Sequence, residues 1–151
     1  MITAQIESFE ERLEEFKPLF PIHWEELALN KDKVPLDPQY DLYIDRERAG
    51  ELLFVTLRKK GEAVGYFIGF IAPGLHYKTC LTCSMDIFYV HPEHRGSSAG
   101  KQLFRFVENE LRRRGVDRWF VGSKNHKDAS WLFESLEFDL CETYYTKWLG
   151  D

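Results

Sequence analysis

Residues 85–103, MDIFYVHPEHRGSSAGKQL, constrain the fold more tightly than any other stretch of the chain. A β-rich run ends at Val90, a polar turn rich in Gly and Ser follows, and a helical pattern starts at Ser98. A strand, a tight turn and a helix in this order let successive backbone N–H groups converge at the positive end of a helix. That arrangement suits an anion such as a pyrophosphate, and small residues let its oxygens approach. Arg95 and Lys101 add positive charge at the two ends of the turn. Two nucleotide-binding motifs are excluded here. A GxxxxGK[ST] loop would need glycine where Arg95 stands and Ser or Thr where Gln102 stands, and Gly96 and Gly100 are wrongly spaced for GxGxxG. An ordinary capped helix after a strand fits the same turn.

The rest of the chain supplies the layers around this unit. Ile6, Phe9, Leu13 and Phe16 recur at near-helical spacing among Glu and Arg, which predicts an amphipathic first helix. Ser8 with Glu11 predicts a capping box at its start. Pro18 and Pro21 interrupt that helix, Pro21 opens a second one through HWEELAL, and a third covers Leu42 to Arg48 before Gly50. LLFVTLRK and AVGYFIGFI flank Lys60-Gly61-Glu62 and read as an antiparallel hairpin. A long strand from Thr79 to Val90 follows, then a helix from Ser98 to Arg114 with Leu103, Phe106, Val107 and Leu111 on one face and Gly115 at its C-cap. Arg112, Arg113 and Arg114 fall in its last turn, where cations complement the helix dipole. A strand from Val116 to Val121, a helix capped by Asp128 and a last strand through ETYYTKWL complete the order. The expected fold is α/β, a mixed sheet with helices on both faces, in one domain spanning 1–151.

Composition excludes several classes. Apolar residues make up 44% and aromatics 15% of the 151 residues, enough to fill a core and too much for a disordered chain. No apolar run approaches a membrane span, and the acidic MITAQIESFEERLEEF is unlike a signal peptide, so no membrane partner is expected. Three cysteines form no disulfide scaffold and suit a reducing cytoplasm. A net charge of −5 argues against nucleic acid as a partner, and the basic run is explained by the helix end.

The segment V-x-P-x-x-R-G-x-x-A-G at Val90 to Gly100 resembles the acetyl-CoA loop of the GCN5-related N-acetyltransferases, written R/Q-x-x-G-x-G/A. Arg95-Gly96-Ser97-Ser98-Ala99-Gly100 follows it, with Ser98 in place of the middle glycine. The resemblance covers residues 52 to 149. It includes Ala129 and the Leu136/Phe138 pair downstream, and it looks most like small phage and bacterial members of the family. It implies the family fold, acetyl-CoA as cosubstrate, no metal, and direct acetyl transfer to a primary amine of a small molecule, peptide or protein. A monomer or homodimer is expected.

The resemblance also assigns residues. Acetyl-CoA would be held by Phe88, Tyr89 and Val90, with the Val90 N–H as oxyanion donor, by Arg95 to Lys101, and by His126 (or Asn125 if the register slips) and Phe133. Asp86 on the strand before the loop is the first candidate for general base, placed with Phe88 and Val90 on one face unless a bulge intervenes. His23, Glu26, His76 and Tyr77 are candidates for the acceptor pocket. Phe133 stands where many members carry the Tyr that protonates the leaving thiolate, so Tyr144 or Tyr145, on opposite faces of the last strand, is the replacement candidate.

Cys80 and Cys83 form a C-x-x-C with His76 nearby, but on a strand rather than the turn a zinc site needs, so they read as thiols. Two other functions stay open on the sequence: a catalytically inactive acyl-CoA-binding module, favoured by Phe133, and a phage structural or accessory protein that kept only the fold.

Overall fold

The computed structural model describes residues 1–151. Five strands, β1 (Ile2–Ile6), β2 (Leu52–Lys59), β3 (Glu62–Gly74), β4 (Tyr77–Val90) and β5 (Arg118–Phe120), lie side by side in that order. All neighbours are antiparallel except β4 and β5, which are parallel. Helices α1 (Phe9–Phe16), α2 (Leu19–Leu27) and α3 (Tyr40–Arg48) precede β2; α4 (Ala99–Arg113) and α5 (Ser130–Ser135) flank β5.

Side-chain alternation along β2 sets the two layers. Leu53, Val55 and Leu57 face Leu103, Phe104, Val107 and Leu111 of α4 and Leu132 of α5. Leu52 and Phe54 face Phe9, Leu13 and Phe16 of α1. The expected mixed sheet with helices on both faces is the observed one.

The N-terminal segment differs from expectation. Ile2 to Ile6 form β1, paired along its whole length with β2, and Ile6 is half exposed rather than part of the α1 stripe. The helix starts only after Ser8, whose Oγ accepts the Glu11 N–H at 3.2 Å. Glu47 of α3 takes the remaining donors, accepting the Phe9 N–H at 2.6 Å and the Glu10 N–H at 3.1 Å. A carboxylate against a helix N-terminus satisfies orphan amides and opposes the dipole's positive end. Pro21 lies inside α2 rather than opening it; α2 begins at Leu19.

The basic run at the end of α4 is held by its own helix. Glu110, almost fully buried, accepts from Arg113 and Arg114, and these guanidiniums hold its carboxyl down to about 2. The tail beyond Phe138 forms no strand. Alternation in TYYTKWL is a local pattern only, and a strand needs a partner edge. Tyr144 and Tyr145 are therefore in solvent, 87% and 93% exposed, and flank no sheet.

Gly65 shows how closely β3 and β4 approach. A Cβ there would stand 2.6 Å from the Tyr89 carbonyl oxygen and 3.2 Å from a Leu57 methyl. The oxygen belongs to the backbone of a paired strand and has no rotamer by which to retreat. Gly65→Ala is expected to destabilise the fold by about 2 kcal/mol, in the range of overpacking changes. Urea unfolding checks this as a lower midpoint at constant slope; an unchanged midpoint would show that β4 yields freely.

Candidate active site

The site is built where β4 loses its neighbour. β5 pairs with β4 only from Thr82 to Ser84, whereas β4 runs on to Val90. Along Met85 to Val90, β4 is paired with β3 on one side only. The other side is an open ladder edge of six residues, about 20 Å long. Such an edge can take a linear amide-bearing molecule as an extra strand.

This edge leads into the turn before α4. His91 N–H bonds back to the Val64 carbonyl at 2.8 Å, and a short 3-10 turn covers Pro92–His94. Gly96 follows at φ +80°, a left-handed conformation that costs glycine little. Ser97 Oγ ties the turn by donating to the His94 carbonyl at 2.6 Å and accepting the Ala99 N–H at 3.2 Å. The backbone N–H groups of Gly96, Ser97, Ser98, Gly100 and Lys101 donate to no acceptor in the protein. Five free donors at the start of a long helix form a cradle suited to phosphate oxygens. No glycine Cβ obstructs it: an added Cβ at Gly96 would meet nothing within 4 Å, and at Gly100 only Leu132 methyls at 3.5 and 3.7 Å.

Arg95 is engaged elsewhere. Its Nε donates to the Val90 carbonyl at 2.8 Å, and its two terminal nitrogens form a bidentate pair with Glu26 of α2 at 2.5 and 2.7 Å. The guanidinium also lies 5.5 Å from the Tyr89 ring. Lys127 reaches the same Glu26 at 3.3 Å, and His126 Nε2 donates to the Leu27 carbonyl at 3.0 Å. The last turn of α2 thereby joins the turn after β4 to the loop after β5. Arg95 and Lys127 hold the Glu26 carboxyl below the usual glutamate range, against the opposing effect of burial.

Asp86 sits on a bulge. Ile68 pairs with Ile87 and Gly69 with Met85, so Asp86 is the extra residue in β4. Phe88 and Val90 point into the α4 side, whereas Asp86 turns to α3 and receives a 2.6 Å hydrogen bond from Tyr43 Oη. The bulge thus breaks the shared face expected for 86, 88 and 90. Asp86 keeps one side open to solvent, yet the protein matter around it raises its pKa above the ordinary aspartate value; the Tyr43 bond opposes that rise.

The remaining candidates divide. His23 is buried on the α2 side, sharing a 2.9 Å hydrogen bond with Tyr66 Oη and lying 4.8 Å from the Tyr89 ring. Burial lowers its pKa to about 4, so it is neutral at pH 7, and its Nε2 has no partner. His76 and Tyr77 lie at the β3–β4 hairpin, where β4 begins; at about 3.3 Å per residue Tyr77 is roughly 30 Å along the strand from Asp86. They do not share a pocket with His23 and Glu26. Phe133 is buried against Phe88, Phe104 and Phe138, as part of the wall beneath the open edge. Cys83 is buried under α4, while Cys80, an odd number of residues away on β4, belongs to the opposite face. Tyr43 is the residue that sequence reasoning missed, because no local pattern links α3 to β4.

Known proteins with this architecture are acetyltransferases in several cases. A ribosomal-protein-alanine N-acetyltransferase from Brucella melitensis biovar Abortus 2308 superposes with a TM-score of 0.73 at 17% identity, over 99% of this chain and 100% of that one. An aminoglycoside acetyltransferase from an uncultured soil metagenomic sample gives 0.78 at 14% identity, covering 99% of both chains. A predicted acetyltransferase from Clostridium acetobutylicum, solved with acetyl-CoA, gives 0.70 at 12% identity, over 99% of this chain and 97% of that one. At such identities the likeness is one of fold. No curated protein sequence matches the chain. The sequence pattern of the acetyltransferase (GNAT) family, however, matches residues 10–138. Open β4 edge, amide cradle and that match agree, and the chain belongs to the GNAT family of acetyltransferases.

Proposed function

We propose that the protein is an N-acetyltransferase that moves the acetyl group of acetyl-CoA directly to a primary amine of a small molecule, peptide or protein. The observation that carries this reading is the open edge of β4 running into five free amides at the start of α4. Pyrophosphate would lie on the N–H groups of Gly96 to Lys101, and the pantetheine arm along Phe88, Tyr89 and Val90. Acetyl-CoA supplies an activated carbonyl carbon; the acceptor nitrogen bonds to it as the carbon–sulfur bond breaks.

The chain's own groups do the rest. Asp86, on the bulge and open to solvent, takes the proton of the incoming ammonium through water. The Val90 N–H, at the end of the open edge, is the proposed oxyanion donor. No side-chain acid is needed to release the thiolate, since ordinary thiols have a pKa of about 8.5; the second proton, shed by the nitrogen as the amide forms, passes to the departing sulfur or to water. An acidic chain of net charge −5 favours cationic acceptors. A cytoplasmic location is part of the same proposal and rests on three unpaired cysteines.

The test is release of free thiol from acetyl-CoA in the presence of an amine panel: polyamines, amino sugars and peptides with free N-termini. Turnover with at least one amine is expected, and Tyr144→Phe and Tyr145→Phe should match the wild-type rate because both rings are in solvent. A second reading, an acyl-CoA-binding module without turnover, is favoured by Phe133, a buried ring that cannot donate a proton. Tight CoA binding with no thiol release across the panel would select it.

A further inference from the structure

Tyr43 has a role that its surroundings define. It lies on α3 and its ring packs in a stack with Phe9 at 5.2 Å and against Phe70 at 5.5 Å. These two contacts hold the phenol, and its hydroxyl donates to Asp86 Oδ2 on the β4 bulge at 2.6 Å. That is the only side-chain hydrogen bond to the Asp86 carboxylate; Oδ1 accepts from no protein group. A bulge residue has no cross-strand partner to set its direction. The donor on α3 therefore determines which way the carboxylate faces.

We infer that Tyr43 is a positioning residue for the general base, holding Asp86 by Oδ2 so that Oδ1 is presented to the proton leaving the acceptor. The inference rests on the reading of Asp86 as that base. The groups facing this carboxylate are uncharged. From α3 it is Tyr43 and from β3 Tyr66; one layer back lie Tyr40, beside Tyr43, and Tyr89 of β4 and His23 of α2. Arg46, one turn beyond Tyr43, has its guanidinium over the Phe70 ring. Burial raises the phenols of Tyr43, Tyr66 and Tyr89, so none ionises near neutrality. Tyr43 is thus the one donor that favours the charged form of Asp86 against the burial that opposes it.

Tyr43→Phe tests this, because it keeps the stack on Phe9 and removes only the hydroxyl. Loss of a hydrogen bond to a carboxylate raises its pKa, so the acid limb of kcat against pH should move to higher pH, by about one pH unit. KM for acetyl-CoA should stay within about twofold, since Tyr43 does not touch the cofactor cradle. The same displacement should appear in the carbon-13 NMR titration of the Asp86 carboxyl in the free enzyme. A wild-type acid limb and an unmoved carboxyl titration in Tyr43→Phe overturn the inference. Asp86→Asn run alongside separates the two readings. If Asp86→Asn retains wild-type turnover, the base assignment falls and the role of Tyr43 with it. If Asp86→Asn is impaired and Tyr43→Phe has the wild-type profile, only the Tyr43 inference falls.

Discussion

Gly100→Asp is expected to weaken coenzyme A binding by more than a hundredfold while leaving the fold intact. The side chain has room: a Cβ at this position would meet only Leu132 methyls, at 3.5 Å and beyond. A carboxylate in the first turn of α4 also suits the helix dipole, which gives about 0.3–1 kcal/mol in its favour. What it harms is the cradle. Gly100 and Lys101 contribute two of the five free N–H groups, and the new charge would stand among them. Two unit charges about 5 Å apart at an effective dielectric of about 20 repel by roughly 3 kcal/mol, which is about two orders of magnitude in affinity. Gly100→Ala is the control, with near wild-type affinity expected. Calorimetric titration with CoA, paired with a thermal melt, reads both effects. A dissociation constant for Gly100→Asp within about threefold of wild type would place the pyrophosphate elsewhere. Arg95→Ala should cost less, several-fold, because its guanidinium serves Glu26 and the Val90 carbonyl and so shapes the turn rather than lining the cradle.

The parts of this site that were legible in the sequence are those encoded over short distances. The strand ending at Val90, the glycine and serine turn and the α4 stripe of Leu103, Val107 and Leu111 are contiguous, and the structure keeps their order. The β2–β3 hairpin was equally local, since Lys60 and Gly61 both take left-handed backbone between two β-rich runs. Ser8 announced the start of α1 by its own chemistry. Ile6 was misleading for a physical reason: it belongs to a period-two series with Ile2 and Ala4 and also to a helical series with Phe9 and Leu13. Pairing with β2 decides for the strand.

What was not legible depends on partners far away in the chain. The Asp86 bulge is a relation between β3 and β4, visible only when Ile68 and Gly69 are matched to Ile87 and Met85. The Tyr43 bond to Asp86 spans 43 residues and the Arg95–Glu26 pair 69. No propensity or spacing rule reaches that far. Glu26 accordingly looked like a group for the acceptor, whereas two cations of the chain hold its carboxylate. The tail shows the converse error. Its alternation is real, but a three-residue β5 offers it little edge, and Tyr144 and Tyr145 remain in solvent.

Asp86→Asn is expected to lower turnover by about a hundredfold or more, the usual scale for loss of a positioned base. CoA affinity should be unchanged, because the carboxylate lies on the bulge facing α3 and not in the amide cradle. The sign of the pH dependence follows from the direction of its pKa. Burial lifts Asp86 above the ordinary aspartate value, and a base must be unprotonated to work. Wild-type turnover should therefore fall as pH drops through that raised value, and the limb should be missing in the Asn variant. Stability should move the other way. A carboxyl whose folded pKa is raised favours the folded state when protonated, and that contribution fades as pH rises and the group ionises. At neutral pH the amide removes an unfavourably placed charge, so Asp86→Asn should unfold at the same urea concentration or a higher one. Reduced turnover in a protein at least as stable as wild type cannot be ascribed to misfolding. The rates must be measured below neutrality as well as above it, since an amine that is already neutral at high pH masks loss of the base. Wild-type turnover of Asp86→Asn throughout that range would remove the bulge carboxylate from the reaction, and the acceptor would then have to lose its proton to water alone.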